Sequence, residues 1–162
     1  MNTKRNDDIR KFKAKYGISM NASIKADEKL KKEFVKRFSK HTGIVPVWAN
    51  REELLQTQEE PLCFLEADVK NLLENSDFDT RKVVNRLSQL EVRHIKLLER
   101  WIEKNPVDPP FCNYSDNGIN ILEGNHRIAL CVFLKVSKMQ ILVPQNMVDV
   151  FKDKFGFELI NK

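Results

Sequence analysis

No stretch of this 162-residue chain approaches the ~20 apolar residues that a membrane-crossing helix needs. The longest candidate is Ile128 to Leu134, so no membrane partner is expected. The Lys/Arg-rich start has no apolar leader core, which excludes a secretory signal and points to the cytoplasm. Cysteine is scarce and odd in number: Cys63, Cys112 and Cys131, each among apolar neighbours. That usage excludes a disulfide framework and reads as small buried hydrophobes in a reducing compartment. The three histidines, His41, His94 and His126, and the cysteines are too far apart for zinc spacing. No internal repeat or low-complexity segment is present.

What is present is a soluble globular composition, 41% hydrophobic and 31% charged, long enough for one domain with an appendage. The charge is divided unevenly. Residues 1–43 hold thirteen of the 28 Lys/Arg and five of the 23 Asp/Glu, a net of +8. The remaining fifteen bases and eighteen acids leave −3. This divides the chain into a basic helical arm, 1–43, and a mildly acidic body, 44–162.

The arm's periodicity predicts helices over 6–16 (Ile9, Phe12, Tyr16) and 26–41 (Leu30, Phe34, Phe38), closed by Gly17 and Gly43. Their polar faces carry most of the lysines. They suit either a solvated pair capping the body or a footprint for DNA, another nucleic acid or an acidic protein. His41 sits at a helix end, where a cation suits the dipole.

The body is expected to run strand, helix, hairpin, helix, strand, helix, which makes a mixed α/β unit. Ile44–Trp48 reads as a short strand, 50–58 as a short helix and Leu62–Leu65 as a buried strand. A long helix follows over 80–104, capped by Asp79 and stopped at Asn105-Pro106. Its apolar stripe is Val83, Leu87, Leu90, His94, Leu97, Leu98 and Trp101, so His94 and both tryptophans, Trp48 and Trp101, are placed in the core. A hairpin turns at 115–118 on Asn-Gly. A helix over 125–135, a strand over Met139–Val143 and a helix over 146–154 complete the body, with Phe155 and Phe157 after them.

The most informative segment is Gly118 to Arg127, GINILEGNHR, followed at once by the apolar run. A strand that runs into glycine and then a helix builds an anion site at a helix N-terminus. Gly124 permits close backbone approach, Asn125 suits an N-cap, and Arg127 can fork onto a phosphate. On the long helix Arg93, Lys96 and Arg100 fall at i, i+3, i+7 on one face. Packed beside the hairpin, that row would overlook the phosphates; otherwise it is an ordinary solvated face.

These features resemble the ParB/sulfiredoxin superfamily. Pro61-Leu62-x-x-Leu65 opens the first strand, a helix ends before Pro109-Pro110, and a hairpin delivers Glu-Gly-Asn-His-Arg. The resemblance covers residues 61–145, about half the chain, and leaves out the arm. It implies a small sheet with packed helices, and phosphates of ATP or CTP held by Gly124, Asn125, His126 and Arg127, supported by Arg93, Lys96 and Arg100. Sulfiredoxin has its catalytic cysteine where Asn125 stands, so sulfinic-acid reduction is not expected, and Cys131 lies too deep in its helix to replace it. Only seventeen residues follow Gln145, too few for the DNA-reading domain of partition proteins.

By the same resemblance Glu123 participates in phosphotransfer, holding Mg2+ or acting as a base; the alternative is a strand-end carboxylate. His126 is a positioned donor or an acid/base. Glu66 is a second acid on the first strand. Two functions follow. One is a nucleotide-dependent enzyme (ATPase, phosphotransferase or ParB-like DNase) acting through Glu123, His126, Arg127 and Glu66. The other is a non-catalytic accessory module of plasmid or phage type that binds DNA or protein through its basic arm.

Overall fold

Backbone pairing carries the first strand well past its apolar residues. In the computed structural model, which describes residues 39–49, 60–77 and 92–160 together with Ala14 and Lys36, β1 spans Leu62–Asp68. It lies antiparallel to β4, Lys138–Pro144, in unbroken register from Leu62↔Pro144 to Asp68↔Lys138. Cys63, Leu65 and Ala67 face the main core, while Leu62 and Phe64 join Leu142 in a smaller cluster on the other face. Burial on both faces is why the segment reads as a continuous apolar run rather than an alternating one.

Asp68 ends β1 and caps α1, Val69–Glu74, by accepting the Asn71 amide at 2.8 Å. The hydropathy pattern gave no warning of this six-residue helix, because only Val69 and Leu72 are buried. Of the long helix expected over 80–104, the described part is α2, Val92–Ile102. Asn105 N–H donates to the Arg100 carbonyl (2.8 Å) and Lys104 N–H to that of Trp101 (3.1 Å), with Lys104 at φ 61. This pair of bonds ends the helix at Ile102, four residues before Pro106. Of the helix expected over 6–16 only Ala14 is described, and it is helical; the helix expected over 50–58 and the start of the 80–104 helix with its Asp79 cap lie outside the described residues. Of the 26–41 helix only Lys36, Ser39, Lys40 and His41 are described; the first two are helical and the others turn toward Gly43.

The hairpin forms as expected from β2, Phe111–Ser115, and β3, Gly118–Glu123. Its two loop residues are Asp116 and Asn117, and Gly118 already pairs with Ser115. Gly118 is needed for another reason: a Cβ there would lie 2.5 Å from the Asn75 carbonyl oxygen, which accepts the Ile119 amide at 2.8 Å. The α1 terminus is thereby seated against the hairpin. After β3 come α3, Asn125–Phe133, then β4, a 3-10 turn over Gln145–Met147, and α4, Val148–Phe155. A two-residue β5, Glu158–Leu159, closes on β1.

The sheet order is β3-β2-β4-β1-β5. β2 meets β4 in parallel at Phe111↔Leu142, and the other pairings are antiparallel. The fold is mixed α/β, a five-stranded mixed sheet with four helices among the described residues. The strand expected at Ile44–Trp48 is reduced to one bridge, Trp48↔Val107. Val107 stands between Pro106 and the Pro109-Pro110 pair, and proline has no N–H to extend a ladder. Trp48 and Trp101 still meet edge to face at 5.4 Å, and Trp101 is fully buried. No helix among the described residues is long and apolar enough to cross a membrane.

Candidate anion site at the start of the third helix

The site is built by a break in the hairpin ladder. Phe111 pairs with Glu123 but Cys112 with Ile121, so Leu122 is an extra residue on β3 and is 55% exposed. A bulge of this kind re-aims the side chains that follow it. Gly124 comes next at φ +100 and is the N-cap of α3. Its carbonyl accepts both the Arg127 amide (2.9 Å) and the Ile128 amide (3.1 Å), which tightens the first turn. The cap falls one residue before Asn125, because the chain must take a left-handed step that glycine makes without strain. Among the described residues no side chain caps the helix, and the first amides of an α-helix, here those of Asn125 and His126, have no carbonyl partner inside it.

The glycine has a use that the sequence did not suggest. A Cβ at position 124 would meet Pro110 at 2.7 and 2.8 Å. Its bareness thus serves the packing of the Pro109-Pro110 segment against the helix start. Arg127 ties the same two pieces together, donating from Nη1 to the Pro109 carbonyl at 3.2 Å. Its Nη2 faces Glu123 Oε1 at 3.4 Å. The arginine side chain is 22% exposed and the glutamate 73%, so the cation is held by the fold and the carboxylate is free to swing into water.

His126 turns inward. Its Nδ1 lies 3.2 Å from Nε2 of His94, and the rings cross at 67° with centres 4.9 Å apart. His94 is fully buried, as its place on the apolar stripe implied. The contact was not foreseen, although a histidine on the stripe of a helix packing beside the motif was the signal for it. The described residues contain no group of three His, Cys, Asp or Glu side chains able to hold a metal ion.

Three of the other expected residues, Lys96, Arg100 and Glu66, are placed elsewhere. Lys96 and Arg100 are exposed, and Arg100 Nη2 donates to the Pro106 carbonyl at 2.7 Å, beyond the far end of α2. Lys96 follows His94 by two residues, about 200° round the helix, while His94 faces α3. The Arg93 side chain lies outside the described residues. Glu66 lies on β1, with β2 and β4 between it and β3, and on the sheet face away from the main core. Its carboxylate accepts from Lys138 Nζ at 2.8 Å.

The thiols are unsuited to nucleophilic work. Burial pushes Cys112 up to about 12 and raises Cys131 as well, so neither carries thiolate at neutral pH. Comparisons with protein-family models, with curated proteins and with solved structures found no match.

Proposed function

We propose that the chain binds a phosphate-bearing ligand, a nucleotide such as ATP or CTP foremost, at the start of α3. The observation that supports this best is Arg127: a partly buried guanidinium pinned by a backbone carbonyl, with its remaining edge held only by an exposed glutamate. A phosphate oxygen arriving at Nη2 replaces a weak, solvated ion pair with a charge-assisted bond. The uncapped first turn adds backbone donors and the positive end of the helix dipole. Glu123, once displaced, would be the residue to hold a Mg2+ ion, which would offset phosphate charge. The ParB/sulfiredoxin resemblance likewise implies phosphates at Gly124 to Arg127.

Any turnover, whether nucleotide hydrolysis, phosphotransfer or ParB-like DNA cleavage, falls to Glu123, His126 and Arg127. Glu66 sits apart from them, and catalysis through a pair of acids therefore has little support. Phosphoryl chemistry depends mostly on placement and charge, which Arg127 and the helix start supply.

Calorimetric titration with ATP, CTP and inorganic phosphate, each with and without Mg2+, tests the reading. Binding by the wild type and its loss in Arg127→Ala is the expected result. Equal heats from the two proteins sink it. The uneven charge favours a second, compatible reading, in which residues 1–43, with net +8, dock on DNA or an acidic protein. Steep weakening of DNA affinity with added salt is expected if phosphates are the contact.

A further inference from the structure

His94 is the only residue of polar or charged type that is buried among the described residues, at 0% exposure. It occupies a stripe otherwise filled by Leu97, Leu98 and Trp101, where a leucine would pack without desolvating a ring. Its Nε2 meets Nδ1 of His126, in the first turn of α3 beside Gly124 and Arg127. A hydrogen bond between two imidazole nitrogens needs one N–H and one bare nitrogen, so each ring fixes the tautomer of the other. It also fixes the direction of the half-buried His126 ring, because the His94 ring is locked in the core.

We propose that His94 is a positioning residue for His126. By engaging Nδ1, it holds the ring in one orientation and leaves Nε2 as the nitrogen that addresses a phosphate at the helix start. As a donor, His94 Nε2–H suits this task better than a carboxylate, which would draw the His126 proton to Nδ1 and leave Nε2 bare. With the bridging proton on His94, neutral His126 keeps its own proton on Nε2 and can donate it to an anion. The ligand part of this inference rests on the phosphate reading above, whereas the coupling of the two rings does not.

Long-range 15N–1H spectra of the imidazoles test it, on the full chain, with inorganic phosphate as the probe. The His126 signals are identified by their loss in His126→Gln. In the wild type His126 is expected to hold a single tautomer. In His94→Leu, or in His94→Phe should the leucine variant not fold, the His126 tautomer balance is expected to shift. Phosphate affinity is expected to drop about three- to tenfold, the worth of one hydrogen bond. A His126 spectrum unchanged by removal of the His94 ring overturns the coupling. A changed spectrum with unchanged phosphate affinity overturns the positioning role. A wild type that does not bind phosphate at all overturns the proposed function, and the spectra still decide the coupling.

Discussion

Arg127 and Lys138 each face a glutamate, yet the two pairs are built differently. Lys138 and Glu66 meet at 2.8 Å across β4 and β1, with side chains 57% and 38% exposed. Each is a long side chain on a strand surface, and water competes for both ends. Arg127 and Glu123 stand farther apart, at 3.4 Å, but the arginine is mostly buried and its other edge is fixed to Pro109. The shorter pair is thus an ordinary surface ion pair. The longer one is a cation positioned by the fold with a replaceable partner. Distance alone ranks them in the wrong order for function; burial and the second anchor decide.

The largest effect is expected at the glycine that lets Pro110 approach Arg127's helix. Gly124→Ala combines positive φ with overlap on Pro110 and is expected to cost roughly 2–4 kcal/mol in denaturant unfolding. Gly156→Ala, at φ +67 in open space, is expected to cost only about 1 kcal/mol. Equal losses in the two would show that packing on Pro110 contributes nothing.

Next comes the arginine itself. Arg127→Ala is expected to weaken phosphate binding at least about tenfold, with Arg127→Lys restoring little because a lysine cannot fork. Lys138→Ala is the matching control and should bind phosphate as the wild type does. A loss in both variants would erase the distinction between the two pairs.

Alkylation of the thiols then shows whether the Arg127 change stays local. Cys63 is half-buried while Cys112 and Cys131 are fully buried, so one fast and two slow sites are expected, in Arg127→Ala as in the wild type. The same two thiols set a pH limit. Their pKa is raised in the folded chain by burial above the ordinary 9.0. Their contribution to stability is therefore complete below pH 9 and lost as the pH climbs past it. Unfolding midpoints measured from pH 8 to 11 should decline accordingly.

The smallest effect belongs to Lys138. Hydrogen bonding and charge from Glu66, then charge from Glu158 and Asp68, raise its pKa above 10.5. Any stability it brings is present below pH 10.5 and fades above it. Because the ammonium is solvated, Glu66→Gln should leave the unfolding midpoint at neutral pH within error.

Much of the fold was legible in the chain. The β2–β3 hairpin, the apolar strands β1 and β4 and the helices α2 and α3 announce themselves through alternation, helical spacing and Asn-Gly. The failures have local causes. α1 is too short to show a period, and β5 exists only because β1 offers it an edge. Ile44–Trp48 has strand composition, but prolines on the facing segment leave it a single bridge. At the site, GNHR was visible as an anion motif, and Arg127 lies in the first turn of α3 against Pro109. Lys96, Arg100 and Glu66 were grouped with it by spacing or by resemblance, and the packing directs each of them elsewhere.

By itself the sequence determined that a strand, a left-handed glycine and a helix start follow one another at residues 118–128, because backbone preference is local. Only the tertiary structure decided what surrounds that turn: Pro110 against the glycine, Pro109 on the arginine, and the buried His94 on His126. Those partners lie fourteen to thirty-two residues away along the chain, where no local preference reaches and only the packing of α2, β2 and α3 brings them within bonding distance.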